Sequence, residues 1–182
     1  PSPADESAVF VLSANAEHQL KTHAKNVICY IEALAGNPDI VRQLAYTSQM
    51  RCSARKTRLF IQFSSLAELV DSLTAYSNDT SALPGLMTST EHGKNPGLGE
   101  LFDDIDFQPT LALWMKAKKY QQLAKVWVNG ISVPWQQMYH GQDVALLPMF
   151  PGYVFDTKAY WVETEIPVQV PAKVPVQALK PI

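Results

Sequence analysis

The chain has 182 residues, of which 47% are apolar, 10% aromatic and 18% charged, and its formal net charge is −2. That length suits one domain with extended segments, and the apolar share is enough for a buried core. No basic stripe argues for nucleic acid, and the apolar runs fall short of the roughly 20 residues that a membrane span needs. The charged share lies below the roughly 25% of an average soluble protein. Two accounts of that remain open: faces covered by another body, or a compact surface of uncharged polar groups.

Residues 1–7 begin Pro1-Ser2-Pro3-Ala4-Asp5-Glu6, which lacks the pattern of a signal peptide and reads as the end of an upstream linker. Ala8 to Leu12 is a β-type run, followed by Ser13 to Asn15 as candidate helix caps. From Ala16 to Ala35 the pattern is helical, with Leu20, Ala24, Val27, Ile31 and Leu34 on one stripe. Gly36-Asn37 is expected to end this helix, and Pro38 to open a second one that turns Ile40, Val41, Leu44 and Ala45 inward. Arg58 to Phe63 reads as a strand, with Phe60 on one face and Leu59, Ile61 and Phe63 on the other. Ser65 and Glu68 form a capping box for a third helix carrying Leu66, Leu69, Val70 and Leu73. The order β-α-α-β-α predicts a two-layer unit of helices over a small sheet.

Ser77 to Gly99 is loop-like, with a short strand at Leu86 to Thr88. Pro109 is expected to open a fourth helix that runs to about Asn129, where Asn129-Gly130 stops it. Beyond Ile131 the chain is extended, apart from a helical turn at Trp135 to Tyr139. The last stretch, 165–182, alternates Pro with Val, Gln and Lys and reads as a polyproline-type linker. The fold class is α+β: a small sheet of about three strands packed by three helices, then a further helix and a long extended C-terminal tail.

The residues give no catalytic pattern. The spacings of zinc sites, nucleophile elbows and phosphate-binding loops are missing. His18 and His23 stand five apart on one helix and point to different sides, and His92 and His140 are isolated. Gly93 to Gly99 reads as a loop rather than a phosphate site. The acidic run Glu100, Asp103, Asp104 and Asp106 precedes a helix, where negative charge offsets the macrodipole. Lys116, Lys118, Lys119 and Lys125 form a basic patch that fits either a solvated helix face or an acidic partner. Cys29 is expected to be a small buried residue of the first helix and Cys52 to lie in a polar turn. Neither has a disulfide context, which predicts a reduced, cytoplasmic protein. No cofactor and no metal is expected.

The strongest signal is aromatic. Trp127, Trp135, Tyr139, Phe150, Tyr153, Phe155, Tyr160 and Trp161 lie in largely non-helical chain interrupted by Pro134, Pro148 and Pro151. An extended segment cannot bury such rings against itself, so they are expected in pockets on a neighbouring surface, partly within this chain and partly outside it.

These residues carry a resemblance. Leu123-Ala124-Lys125-Val126-Trp127-Val128-Asn129-Gly130, then Val133-Pro134-Trp135 and Tyr139, resembles the segment downstream of the ketosynthase in modular polyketide synthases. Pro151-Gly152-Tyr153-Val154-Phe155 and Tyr160-Trp161 keep the spacing of that family's aromatic tail, with Gly152, Val154 and Ala159 as departures. Val11-Leu12-Ser13-Ala14, Leu44-Ala45-Tyr46-Thr47, Arg58 and Ser64-Ser65-Leu66-Ala67-Glu68-Leu69 are similar to the family's linker after the ketosynthase; Met50-Arg51-Cys52 stands where that family often has a glycine. The resemblance spans residues 8–162. In synthases with a built-in acyltransferase, several hundred residues separate the two halves, whereas here about forty do.

The resemblance therefore implies the flanking region of a synthase served by a separate, trans-acting acyltransferase. Such a region is often called a docking domain. Its implied parts are an α/β linker subdomain over 8–90, an acidic loop and helix over 91–130 in place of an acyltransferase, and an extended aromatic post-linker over 131–164. Its implied role is a non-catalytic scaffold or, alternatively, a purely structural linker with lateral ketosynthase contacts. Implied partners are the adjacent ketosynthase, a discrete acyltransferase and an acyl carrier protein. The candidate interface is Trp127, Trp135, Tyr139, Tyr153, Phe155, Tyr160 and Trp161, with Lys116, Lys118 and Lys119. Tyr160 and Trp161 are expected to pack less well than Trp127 and Trp135.

Overall fold

A computed structural model of the chain describes residues 7–34, 39–80, 83–89 and 107–155. The expected caps at Gly36-Asn37 and Pro38, the glycine-rich 93–99, the acidic Glu100 to Asp106, Tyr160, Trp161 and the linker 165–182 lie outside the described residues. The described elements are β1 (Ala8–Ala14), α1 (Glu17–Ala33), α2 (Ile40–Arg51), β2 (Thr57–Phe63), α3 (Leu66–Ser77), β3 (Leu86–Thr88), α4 (Phe107–Lys116), α5 (Tyr120–Val128) and a 3-10 turn at Trp135–Tyr139. This is the α+β class the sequence predicts.

The sheet is antiparallel in the order β1-β2-β3. Val9 stands opposite Gln62 and Val11 opposite Phe60, and Phe60 in turn opposite Met87. Alternation then divides the side chains as the β2 sequence predicts. Phe10, Leu12, Leu59, Ile61 and Phe63 join α1, α2 and α3 in one core cluster. Val9, Val11 and Phe60 join Leu111, Met115, Leu123, Ala124, Val126 and Trp127 of α4 and α5 in a second. The two-layer expectation is thereby corrected to three layers. The cause was visible in β1, where every residue from Ala8 to Leu12 is apolar, so both faces need cover.

The expected fourth helix is two helices. Lys118 adopts φ +52; the Lys119 amide donates to the Trp114 carbonyl at 2.9 Å and that of Lys118 to Met115 at 3.2 Å. These are the 6→1 and 5→2 bonds of a Schellman stop, usually made with glycine at the left-handed position. A lysine there hides the break from a sequence reading. α5 ends in the same motif with the expected glycine: Gly130 has φ +96, and the Ile131 amide reaches the Val126 carbonyl at 3.2 Å.

Three smaller expectations also change. Ser13 and Ala14 continue β1, so α1 is capped at Ala16, whose amide donates to the Gln19 Oε1 at 3.2 Å. Ser65 accepts from the Glu68 amide at 3.3 Å as predicted, but the Glu68 carboxylate takes the amide of Ser64 at 2.6 Å rather than that of Ser65. Cys29 is exposed rather than buried, because the stripe of Leu20, Ala24, Val27 and Ile31 leaves position 29 on the outer side of α1.

α2 closes the free edge of β1. Its Thr47, Ser48 and Gln49 are consecutive buried polar residues. Ser48 Oγ accepts from the Val11 amide at 3.3 Å, and Gln49 Nε2 donates to the Val9 carbonyl at 2.7 Å. Side chains thus occupy backbone groups that an edge strand would otherwise offer to another chain.

Candidate interaction surface

From Gly130 to Phe155 the chain forms a strap that leaves the second core and crosses to the first. Its start is held by Arg58, which is 5% exposed in β2. The guanidinium donates to the carbonyls of Trp127 at 3.1 Å, Gly130 at 2.8 Å and Ile131 at 2.7 Å, and to that of Arg55 at 2.8 Å. It also lies 4.5 Å from the centroid of the Trp127 ring. A cation at a helix C-terminus meets the negative end of the macrodipole and satisfies carbonyls that the last turn leaves open. Burial pulls the Arg58 ionisation downward from its ordinary value, yet a guanidinium remains charged near neutrality.

Trp127 donates its indole N–H to the Leu59 carbonyl at 3.2 Å and meets Trp135 edge-on at 5.8 Å. The strap then runs past α2 and α1. Tyr139 stacks edge-on against Tyr46 at 4.7 Å, and Gln142 accepts from Arg42. The Leu147 amide donates to Thr47 Oγ1 at 2.9 Å, which accounts for the third buried polar residue of α2. Tyr30 donates its hydroxyl to the Pro148 carbonyl at 2.7 Å. Leu147 and Phe150 are buried in the first core, where Phe150 meets Tyr30 at 5.7 Å and Phe10 at 6.3 Å. His23 Nε2 lies 3.0 Å from the Pro151 carbonyl, and Tyr153 donates to Gln19 Oε1 at 2.9 Å. Side chains of α1 and α2 therefore stitch the main chain of the strap to the helical face.

Burial lowers the His23 pKa, with the Pro151 hydrogen bond offsetting part of that. Its Nδ1 is buried without a partner among the described residues, which suits the neutral tautomer that carries its proton on Nε2. Burial likewise pushes up the hydroxyls of Tyr120 and Tyr139. The Cys52 thiol, 3.4 Å from Ser13 Oγ, is pushed up to about 11, burial being the main cause. Such a thiol is protonated and unreactive at neutral pH.

The sequence-selected aromatics divide. Trp127 and Trp135, at 2% and 4% exposure, are core residues of this chain and present no ring to a partner. Tyr139 and Tyr153 are half-buried, and Phe155, at 73%, is the exposed one, resting edge-on against Tyr153 at 4.8 Å. Lys116, Lys118 and Lys119 are exposed but do not share one helix face, since Lys118 and Lys119 occupy the turn between α4 and α5. Arg58 and Thr47, which organise the strap, were missed as site residues. Their signals were a charge inside an apolar strand and a run of polar residues on an otherwise inward helix face.

No helix among the described residues is long and apolar enough to cross a membrane. The described residues hold no group of three side chains fit to bind a metal ion.

No protein-family model matches the chain. Among curated proteins it is similar to polyketide synthase PksN of Bacillus subtilis (strain 168), with 29% identity over 168 residues, covering 91% of this chain and 3% of that protein. It is 30% identical over 160 residues to polyketide synthase PksM of the same organism, covering 86% of this chain and 4% of PksM. Polyketide synthase PksL gives 30% over 162 residues, 87% of this chain and 3% of PksL. The chain thus corresponds to a few per cent of the length of these relatives. Among solved structures it superposes on the ketosynthase from module 6 of the bacillaene synthase of Bacillus subtilis 168 with a TM-score of 0.70 and 26% identity, over 85% of this chain and 26% of that one. The ketosynthase from module 1 of the bacillaene synthase of Bacillus amyloliquefaciens FZB42 gives a TM-score of 0.68 and 25% identity, over 82% of this chain and 26% of that one. The chain is therefore homologous to a short segment of polyketide synthases, and its fold is one that ketosynthase structures contain.

Proposed function

We propose that this chain is a non-catalytic scaffold and docking region beside the ketosynthase of a polyketide synthase module served by a discrete, trans-acting acyltransferase. The supporting observation is one of proportion. The fold recurs as about a quarter of solved ketosynthase chains, and only about forty residues join its two halves. The strap supports the same reading, because its main-chain carbonyls and amides are spent on side chains of this chain's own body. The adjacent ketosynthase is the covalent neighbour, the discrete acyltransferase the recruited partner and an acyl carrier protein a further visitor, all in the cytoplasm.

A second reading, a purely structural linker with lateral ketosynthase contacts and no recruitment, is favoured by the burial of Trp127, Trp135 and Phe150 within this chain. Calorimetry separates the two: titrating the discrete acyltransferase into the chain releases or absorbs heat under the docking reading and gives only dilution heats under the linker reading. Intact-mass spectrometry of the chain after incubation with acyl thioesters tests the absence of catalysis. The expected mass is unchanged, and a retained acyl group refutes that part of the proposal.

A further inference from the structure

A cleft of about 510 Å³ opens at the end of the sheet opposite Arg58, where the residue before β1, the β2–α3 corner, the turn before β3 and the start of α5 meet. Its lining carries the carboxylates of Glu68 and Asp71, the hydroxyl of Ser72 and the amides of Gln62 and Gln121, and no lysine, arginine or histidine. No residue of the strap lines it. Glu68, Asp71 and Ser72 stand three and four positions apart on α3 and so share one helix face.

Ser72 is 6% exposed, yet its hydroxyl makes no hydrogen bond among the described residues. Other helical hydroxyls of this chain return to the carbonyl four residues back: Ser77 donates to Leu73 at 2.8 Å and Thr22 to His18 at 2.9 Å. Ser72 leaves that bond unmade and lines the cleft instead. A hydroxyl this far from bulk water is unfavourable without a partner, and a group entering the cleft supplies one. Asp71 is exposed at the mouth, and its carboxylate makes no hydrogen bond or ion pair among the described residues. Glu68 gives one oxygen to the Ser64 amide at 2.6 Å and keeps the other. Gln121 donates its Nε2 to Gln62 Oε1 at 3.5 Å and keeps its own Oε1 as an acceptor. Asp71 and Ser72 lie in the second turn of α3, past the positive N-terminus that Ser65 and Glu68 already meet.

The facing rim is apolar. Leu83 and Pro84 are exposed there. Gly85, with φ +83, fixes that rim to the sheet: its carbonyl accepts from the Gln62 amide at 2.9 Å, and a Cβ would stand 2.9 Å from the Gln62 carbonyl oxygen. The cleft thus offers a fan of acceptors on one side, an apolar wall on the other and no cation of its own. A guanidinium presents five donors in one plane on an aliphatic stem, which matches both sides.

We infer that this cleft binds an alkyl guanidinium group, its planar head among Glu68, Asp71 and Ser72 and its stem along Leu83 and Pro84. Such a group arrives as a small guanidine or as an arginine side chain of another protein, and the two share the chemistry that the cleft reads. The inference stands apart from the recruitment reading, since it uses no residue of the strap and no property of an acyltransferase.

The test is proton–nitrogen correlation NMR of the isotope-labelled 182-residue chain titrated with n-butylguanidine and with N-butylurea, its neutral isostere. n-Butylguanidine is expected to shift the amides of Glu68, Asp71, Ser72 and Gly85 saturably, with a dissociation constant on the order of 1 mM, and N-butylurea to leave them in place. Asp71→Asn is expected to weaken binding about tenfold and Ser72→Ala about threefold. Neither side chain bonds to the rest of the fold, so both variants are expected to keep the spectrum of the unaltered chain outside the cleft. Glu32→Gln, at an exposed carboxylate of α1 outside the lining, is expected to leave binding unchanged. A blocked tripeptide with a central arginine, compared with its citrulline counterpart, separates the sources. Tighter binding of the arginine peptide than of n-butylguanidine assigns the cleft to a protein side chain, and the reverse order assigns it to a small guanidine. Absence of saturable shifts, equal shifts with N-butylurea, or binding indifferent to both Asp71→Asn and Ser72→Ala overturns the inference.

Discussion

Arg58 is the residue whose removal probes the strap most sharply. Arg58→Ala removes the guanidinium donor from the carbonyls of Trp127, Gly130, Ile131 and Arg55, of which Trp127 keeps the Gly130 amide at 3.1 Å. A buried acceptor deprived of its partner costs about 1–3 kcal/mol, and stacking over a tryptophan contributes about 0.5–2 kcal/mol. The losses do not add, because water enters a truncated site and the carbonyls share it. A total of about 3–5 kcal/mol is the range for breaking a buried charged network. That is a large part of the roughly 5–15 kcal/mol available to a domain. With a fall in Tm of about 2–4 °C per kcal/mol for a chain of this length, Arg58→Ala is expected to unfold about 10 °C lower. Arg58→Lys keeps the charge but lacks the planar fork that reaches several carbonyls at once, so about half of the loss is expected to remain. Urea denaturation with equal slopes for all three proteins gives the comparison directly. A cost below about 1 kcal/mol for Arg58→Ala would refute the claim that this side chain clamps the strap.

Other expectations follow from single residues. His23 titrates below its ordinary value in the folded chain, so the unfolded chain binds its proton more readily. Its contribution to stability is complete above about pH 6.5 and declines as the pH falls below that value. The urea midpoint is expected to drop between about pH 7.5 and pH 5.5, and His23→Gln to flatten that slope; an equal slope in the variant counts against burial of the neutral imidazole as its cause. Met149, exposed in the strap, has φ +54, so Met149→Gly relieves a left-handed backbone and is expected to raise stability by about 0.5–1 kcal/mol in thermal unfolding, whereas a loss of stability would mean that the methionine supports the fold. Cys29, exposed on α1, is expected to react with a disulfide reagent in the native state, while Cys52, whose thiol lies near 11, reacts after unfolding. Mass spectrometry of peptides after a brief treatment distinguishes the two sites.

Much of this fold was legible because local signals agreed with the tertiary result. The 4-3-4-3 stripe of α1, the two-faced pattern of β2, the Ser65–Glu68 cap and the Gly130 stop all appear where the sequence places them. The failures have physical causes. The break between α4 and α5 is hidden because Lys118 takes a conformation that usually signals its presence through glycine. The third layer is missed because helical amphipathicity was weighed for α1 to α3 while the doubly apolar β1 was not. Cys29 is misplaced because residue type outweighed position on the stripe. The strap was recognisable by its aromatics, but which rings face inward depends on where α1 and α2 offer donors and acceptors. Thr47, Tyr30, His23 and Gln19 make that choice, and no local pattern joins them to partners 100 to 134 residues away.

Sedimentation velocity of the 182-residue chain mixed with the discrete acyltransferase tests the central claim most directly. The account predicts a faster boundary containing both proteins. Two boundaries that keep their separate rates at every concentration would contradict it.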